Sequence, residues 1–137
     1  MVLLDTSAVI WLAEQLPMTA QSQIAIQQAA TDDNLLISPV SAWEVGILAT
    51  RRVNQFRFLP TPRAWFQDLF AMIPGMQLTP LTPEAAIAAA FLPGQFHRDP
   101  ADRLLVATAR EMGASLVTRD RRILQYAGQG HVQAIAC

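Results

Sequence analysis

Met1-Val-Leu-Leu-Asp5-Thr-Ser7 opens the chain with a short apolar run that ends on a carboxylate and two hydroxyls. Val2 to Leu4 is short and rich in strand formers, so it reads as a buried strand followed directly by a helix start. Ala114-Ser-Leu-Val-Thr-Arg-Asp120 repeats the pattern near the other end of the chain, with Leu116 to Thr118 as the strand. Leu35-Leu-Ile-Ser38 and Met76 to Leu81 are two further strand candidates, and Val132 to Ala136 is a fifth.

Helical patterns fill the intervals. Ala8 to Leu16 carries Val9, Leu12, Ala13 and Leu16 at helical spacing and stops at Pro17. Ala20 to Ala30 has a glutamine-rich outer face, and Asp32-Asp33-Asn34 reads as a turn. Ser38 is a natural cap for a helix over Val40 to Thr50, with Pro39 tolerated in its first turn. Positions 53–62 form a connector. Arg63 to Ile73 places Trp65, Phe66, Leu69 and Phe70 at helical spacing, which suits a core or an interface. Thr82 caps Pro83 to Leu92, Gly113 stops Ala101 to Met112, and a short helix over Asp120 to Tyr126 ends by Gly128. Short apolar strands alternating with helices predict an α/β fold. Four to five strands form a mostly parallel central sheet with helices on both faces. At 137 residues this is one domain, spanning 1–137.

The charge pattern narrows the chemistry. Charged residues make up only 15% of the chain, so each carboxylate at an element end counts. All ten basic residues are arginine. Without lysine there is neither Schiff-base chemistry nor a P-loop. A net charge of −1 gives no global steering toward nucleic acid. The lone Cys137 excludes an intrachain disulfide and a cysteine-based metal cluster. No stretch is long and apolar enough to span a bilayer, and the N-terminal segment lacks the layout of a signal peptide, so a cytoplasmic protein without membrane contact is expected.

Four acids carry the functional expectation: Asp5, Glu44, Asp102 and Asp120. In an open parallel sheet ligands bind beyond the carboxyl ends of the strands. Asp5 ends the first strand and Asp120 follows the fourth, so neighbouring strands would bring them into one cleft. Glu44 and Asp102 each sit about one turn into a helix that begins near the same edge. Carboxylates gathered this closely repel each other and raise each other's pKa. A hard divalent cation such as Mg2+ or Mn2+ relieves the conflict and can activate water at a phosphoryl centre. Taken singly, Asp5, Asp102 and Asp120 also serve as helix caps or dipole partners. Glu44 is harder to read that way, because Ala42, Trp43, Val45 and Ile47 make its helix apolar on most sides.

The segments Leu3-Leu-Asp5-Thr-Ser, Ile37-Ser-Pro-Val-Ser-Ala-Trp-Glu44-Val, His97-Arg-Asp-Pro-Ala-Asp102-Arg-Leu-Leu-Val-Ala-Thr-Ala109 and Leu116-Val-Thr-Arg-Asp120 follow one another in order. Together they resemble the PIN-domain ribonucleases, in particular the VapC-type toxins of bacterial toxin–antitoxin pairs. No single segment is specific, but the four in order are. The resemblance implies a three-layer α/β/α fold and an acidic pocket holding Mg2+ or Mn2+. In that pocket Asp5, Glu44, Asp102 and Asp120 are the catalytic acids, and Asp5, Asp102 and Asp120 are the metal ligands. It also implies endoribonuclease activity with 5′-phosphate and 3′-hydroxyl products, an antitoxin laid across the cleft, and a homodimer. Thr6, Ser7 and Thr118 match supporting polar positions. Asp99 is an extra acid beside the motif, readable as a turn before Pro100, and His97 reads as a loop histidine. Arg98, Arg103 and Arg119, with Arg121 and Arg122, are candidates for gripping flanking phosphates; solvated helix faces or antitoxin contacts explain them equally well.

Two other classes remain open on the sequence. A non-catalytic RNA- or protein-binding module would keep the acids for architecture. A phosphohydrolase with Asp5 as covalent nucleophile would commonly want a second Asp two residues on, where this chain has Ser7. A dinucleotide-binding fold fails for want of a G-x-G-x-x-G after the first strand.

Overall fold

Short strands whose successive side chains face opposite ways build two cores from one sheet. In the computed structural model, which describes residues 1–53 and 55–137, the strands are β1 (Val2–Leu4), β2 (Leu35–Ile37), β3 (Met76–Leu78), β4 (Ser115–Thr118) and β5 (Ala134–Ala136). All pair in parallel, in the order β3-β2-β1-β4-β5. Val2, Leu4, Leu35, Ile37 and Val117 point to one side of the sheet, and Leu3, Leu36 and Leu116 point to the other.

The first side is covered by α1 (Thr6–Ala13), α2 (Ala20–Thr31) and α4 (Pro62–Met72), through Val9, Ile26, Trp65 and Leu69. The second is covered by α5 (Pro83–Ala90), α6 (Pro100–Met112) and α7 (Arg121–Gly128), through Ala89, Leu105, Ile123 and Tyr126. Helix α3 (Pro39–Thr50) contributes Val45 to one core and Val40 to the other. This is the expected three-layer α/β/α arrangement. The aromatic helix is largely core: Trp65 is buried, and Phe66 and Phe70 pack against the same cluster.

Several boundaries differ from the sequence reading. Helix α1 starts at Thr6, directly after Asp5, and ends at Ala13 rather than Leu16. Gln15 then takes a left-handed backbone with φ 53°, and Leu16, before Pro17, is disfavoured from continuing the helix. Strand β3 stops at Leu78 rather than Leu81. The Thr79 amide still donates to the Ile37 carbonyl at 2.9 Å, but Pro80 has no N–H to extend the ladder. Strand β5 begins at Ala134 rather than Val132, which is buried against α6 and α7. Helix α5 ends at Ala90, two residues short of Leu92. Position 54 of the expected connector lies outside the described residues.

The topology decides where a ligand can sit. From β1 the chain steps outward through β2 and β3, then returns to add β4 and β5 on the other side. The crevice between β1 and β4 is therefore the switch point of the sheet. Leu4 pairs with Val117 there, so Asp5 and Asp120 leave the sheet side by side.

Candidate active site

Asp5 follows β1 and occupies the capping position of α1, yet its side chain makes no capping hydrogen bond. Its carboxylate instead accepts the Thr118 hydroxyl at 2.5 Å and the Ser7 hydroxyl at 2.9 Å, both on Oδ2. Asp5 is only 5% exposed. Burial raises its pKa, and the two hydroxyls offset part of that rise. A buried carboxylate held by two neutral donors and no cation is short of positive charge.

Thr118 links two acids. Its hydroxyl donates to Asp5 and accepts the Asp120 amide at 3.0 Å. Asp120 caps α7, its Oδ1 accepting the Arg122 amide at 2.7 Å. Burial alone would raise the Asp120 pKa, but hydrogen bonds from the Arg122 side chain and backbone outweigh it and lower the value. The Arg122 guanidinium lies 3.0 Å from Asp120 Oδ2 and 3.6 Å from Asp102 Oδ2, so these two acids face each other across a single guanidinium.

Asp102 sits in the first turn of α6 and is 8% exposed. Its pKa is pushed up to about 7, first by burial and then by the charges of Asp5, Asp99, Asp120 and Glu44. Asp99 itself is the cap of α6 and accepts the Asp102 amide at 3.1 Å, the turn role expected from its place before Pro100. Glu44, half-buried on α3, is also pushed up to about 7, by burial first and by Asp5 and Asp99 after it. The Thr6 hydroxyl, 2.5 Å from Glu44 Oε1, works in the opposite direction, and Ser41 supports Thr6 at 2.9 Å. The four acids thus share one field at the carboxyl end of the sheet. The apolar neighbours of Glu44 do not all enclose it: Trp43 and Ile47 turn to solvent.

The arginines fall differently from the sequence expectation. Arg103 points away from the cleft. Its guanidinium donates to the carbonyls of Ala89 (2.8 Å), Phe96 (3.0 Å) and His97 (3.2 Å), bracing the α5–α6 loop. Arg119 lies 4.1 Å from the centroid of the Trp11 ring and donates to the Cys137 carbonyl at 3.0 Å. Arg98 is exposed. Arg122 reaches the acids instead, its spacing of two residues from Asp120 being the available signal. His97 is not a bystander in its loop. Its Nε2 lies 3.1 Å from Asp102 Oδ2, and burial together with Arg122 lowers its pKa. Ser41 gave no sequence signal beyond its place one turn into α3.

Among the described residues, no three or more Asp, Glu, His or Cys side chains are drawn together tightly enough to hold an ion by themselves. The donors are nevertheless oxygens, and burial and mutual repulsion disfavour the ionised forms of Asp5, Glu44 and Asp102. That set fits a hard divalent cation that completes its shell with water or substrate oxygens.

Comparison with known proteins gives a consistent result. The model of the PIN domain family matches residues 2–129. The chain is 37% identical over 123 residues to Ribonuclease VapC22 of Mycobacterium tuberculosis, covering 89% of this chain and 88% of that protein. Among solved structures, it resembles a chain of VapBC2 from Rickettsia felis bound to a promoter DNA fragment. The TM-score is 0.67 at 13% identity, covering 99% of this chain and 98% of the other. A chain of DNA-bound VapBC from Salmonella typhimurium gives a TM-score of 0.68 at 14% identity, with 98% and 96% covered. At these identities the structural likenesses speak for the fold.

Proposed function

The chain belongs to the PIN domain family, and on that premise we propose that it is a divalent-metal-dependent endoribonuclease acting as the toxin of a toxin–antitoxin pair. One observation carries this reading. Asp5, Glu44, Asp102 and Asp120 meet at the sheet switch point, and burial raises the pKa of three of them.

Asp5, Asp102 and Asp120 would hold Mg2+ or Mn2+. When bound, such an ion stabilises charge on the phosphoryl oxygens and makes water more acidic. The protein's own groups supply the rest. Thr118 and Ser7 fix Asp5, and Thr118 ties it to the start of α7. Glu44, with a pKa of about 7 and its Oε1 held by Thr6, is suited to accept a proton from the attacking water. Attack in line with the 3′-oxygen leaves 5′-phosphate and 3′-hydroxyl ends. Arg98 and Arg119, exposed at the rim, can meet flanking phosphates.

The reading extends to a single domain over 1–137, a cytoplasmic setting, a homodimer, and a cognate antitoxin that covers the cleft. The VapC22 relative supports the ribonuclease activity, and the VapBC neighbours support the antitoxin. The test is cleavage of single-stranded RNA by the purified chain in Mn2+, with the ends of the products mapped. The reading expects 5′-phosphates, loss of cleavage in EDTA, and loss in Asp5→Asn. RNA retention without metal-dependent cleavage would support a binding module instead.

A further inference from the structure

Among the described residues, Arg122 is the one arginine that forms an ion pair with the four acids. Its backbone amide already satisfies the Asp120 cap, so the side chain is not needed for that purpose. The guanidinium instead crosses from α7 to α6. It bonds Asp120 Oδ2 at 3.0 Å and stands 3.6 Å from Asp102 Oδ2. These are two of the three proposed metal ligands.

We propose that Arg122 is an exchangeable counter-ion of the cleft, resting on Asp102 and Asp120 until a divalent ion takes them and then binding the RNA backbone. This rests on the nuclease reading above. The side chain is 59% exposed, so charge holds it in place and packing does not. Exposed ion pairs of this kind are weak and are readily exchanged for a stronger partner. A doubly charged ion on the same carboxylates is such a partner. The released guanidinium has somewhere to go. Arg122 borders a polar groove of about 280 Å³ that also involves Gln95, His97, Gln125, Tyr126 and Gln129. A planar fork of five donors beside such a groove suits a phosphate oxygen pair. The same arginine would thus lower metal affinity at rest and raise RNA affinity once the ion is bound.

The experiment compares the wild type, Arg122→Gln and Arg122→Lys. Mn2+ binding is measured by calorimetry in the absence of RNA. Single-stranded RNA binding is measured without turnover, in Ca2+ and in EDTA. Arg122→Gln is expected to bind Mn2+ about two- to fivefold more tightly, because an exposed competing ion pair is gone. It is expected to bind RNA more weakly in Ca2+ by a similar factor and equally well in EDTA. Arg122→Lys, which keeps the charge but not the fork, should fall between. Unchanged or weaker Mn2+ binding in Arg122→Gln would overturn the proposal. So would an equal loss of RNA affinity in Ca2+ and EDTA, which a purely structural role predicts. Failure of the wild type to bind Mn2+ at all would instead remove the metal reading, and this inference with it.

Discussion

The two ends of the sheet differ in what they hold. At the amino end of β4 and β5 lies the larger cavity, about 950 Å³, bordered by Gln21, Ser115, His131 and Gln133. Among the described residues, its one arginine, Arg110, is bonded to the His131 carbonyl, and no carboxylate lines it. At the carboxyl end the pockets beside Glu44 are smaller, about 390 and 210 Å³, but the four acids share one field there, three of them with pKa values pushed upward. The first end is large and electrically satisfied. The second is crowded with charge that the protein alone leaves short of partners. On the reading proposed above, volume is the poorer guide to function here, because strongly shifted carboxylates mark the site.

The sharpest way to break this comparison is to neutralise each end in turn. Asp102→Asn or Asp5→Asn is expected to lower RNA cleavage by about 10²–10³-fold, the usual scale for removing a group that stabilises developing charge. Arg110→Ala at the opposite end should leave cleavage within about twofold. Comparable losses from the two ends would erase the distinction.

A second substitution sharpens the supporting geometry. Thr118→Val keeps the shape of β4 but removes the hydroxyl shared by Asp5 and Asp120. Groups that orient ligands in this way commonly matter by about 10–100-fold in metal affinity or activity, and cleavage at limiting Mn2+ should report that loss. Arg103→Gln separates structure from chemistry. It removes the brace on the carbonyls of Ala89, Ala90, Phe96 and His97 and is expected to lower stability by about 1–3 kcal/mol, read as the midpoint of thermal unfolding. Saturating RNA and Mn2+ should restore most of its activity below that midpoint.

A separate effect is expected on stability against pH. Glu44 and Asp102 rise from ordinary values of 4.5 and 3.8 to about 7 in the folded chain. The folded state therefore holds more protons than the unfolded state between about pH 4 and pH 7. Stability is fully present below that window and falls as pH rises through it. Without metal, the unfolding midpoint should be lower at pH 7.5 than at pH 5. Added Mn2+ should raise it at pH 7.5 and do little at pH 5. A flat profile would show that the folded chain does not raise the two values.

Asp5 and Asp120 were legible in the sequence because each follows a short apolar strand, and parallel strands of that kind end at a common edge. Glu44 and Asp102 were legible through helix starts, which fix a side chain to within a turn. The arginines were not. Arg103 lies one residue from Asp102, but helical rotation turns it toward carbonyls of a loop that sequence spacing cannot locate. Arg122 is three residues from Arg119, yet one folds over Trp11 and the other over the acids. Long flexible side chains go where tertiary partners are, whereas short ones follow the backbone. For the same reason the strands were read to within a few residues, while the ends of α1 and β3 depended on Gln15 and Pro80.

Anomalous scattering from crystals grown with Mn2+ tests the central claim most directly. A peak between Asp5, Asp102 and Asp120 at the carboxyl end of β1 and β4, lost in Asp102→Asn, is the predicted result. A Mn2+ peak confined to the cavity at the opposite end of the sheet, or density at the acids that survives their neutralisation, would contradict it.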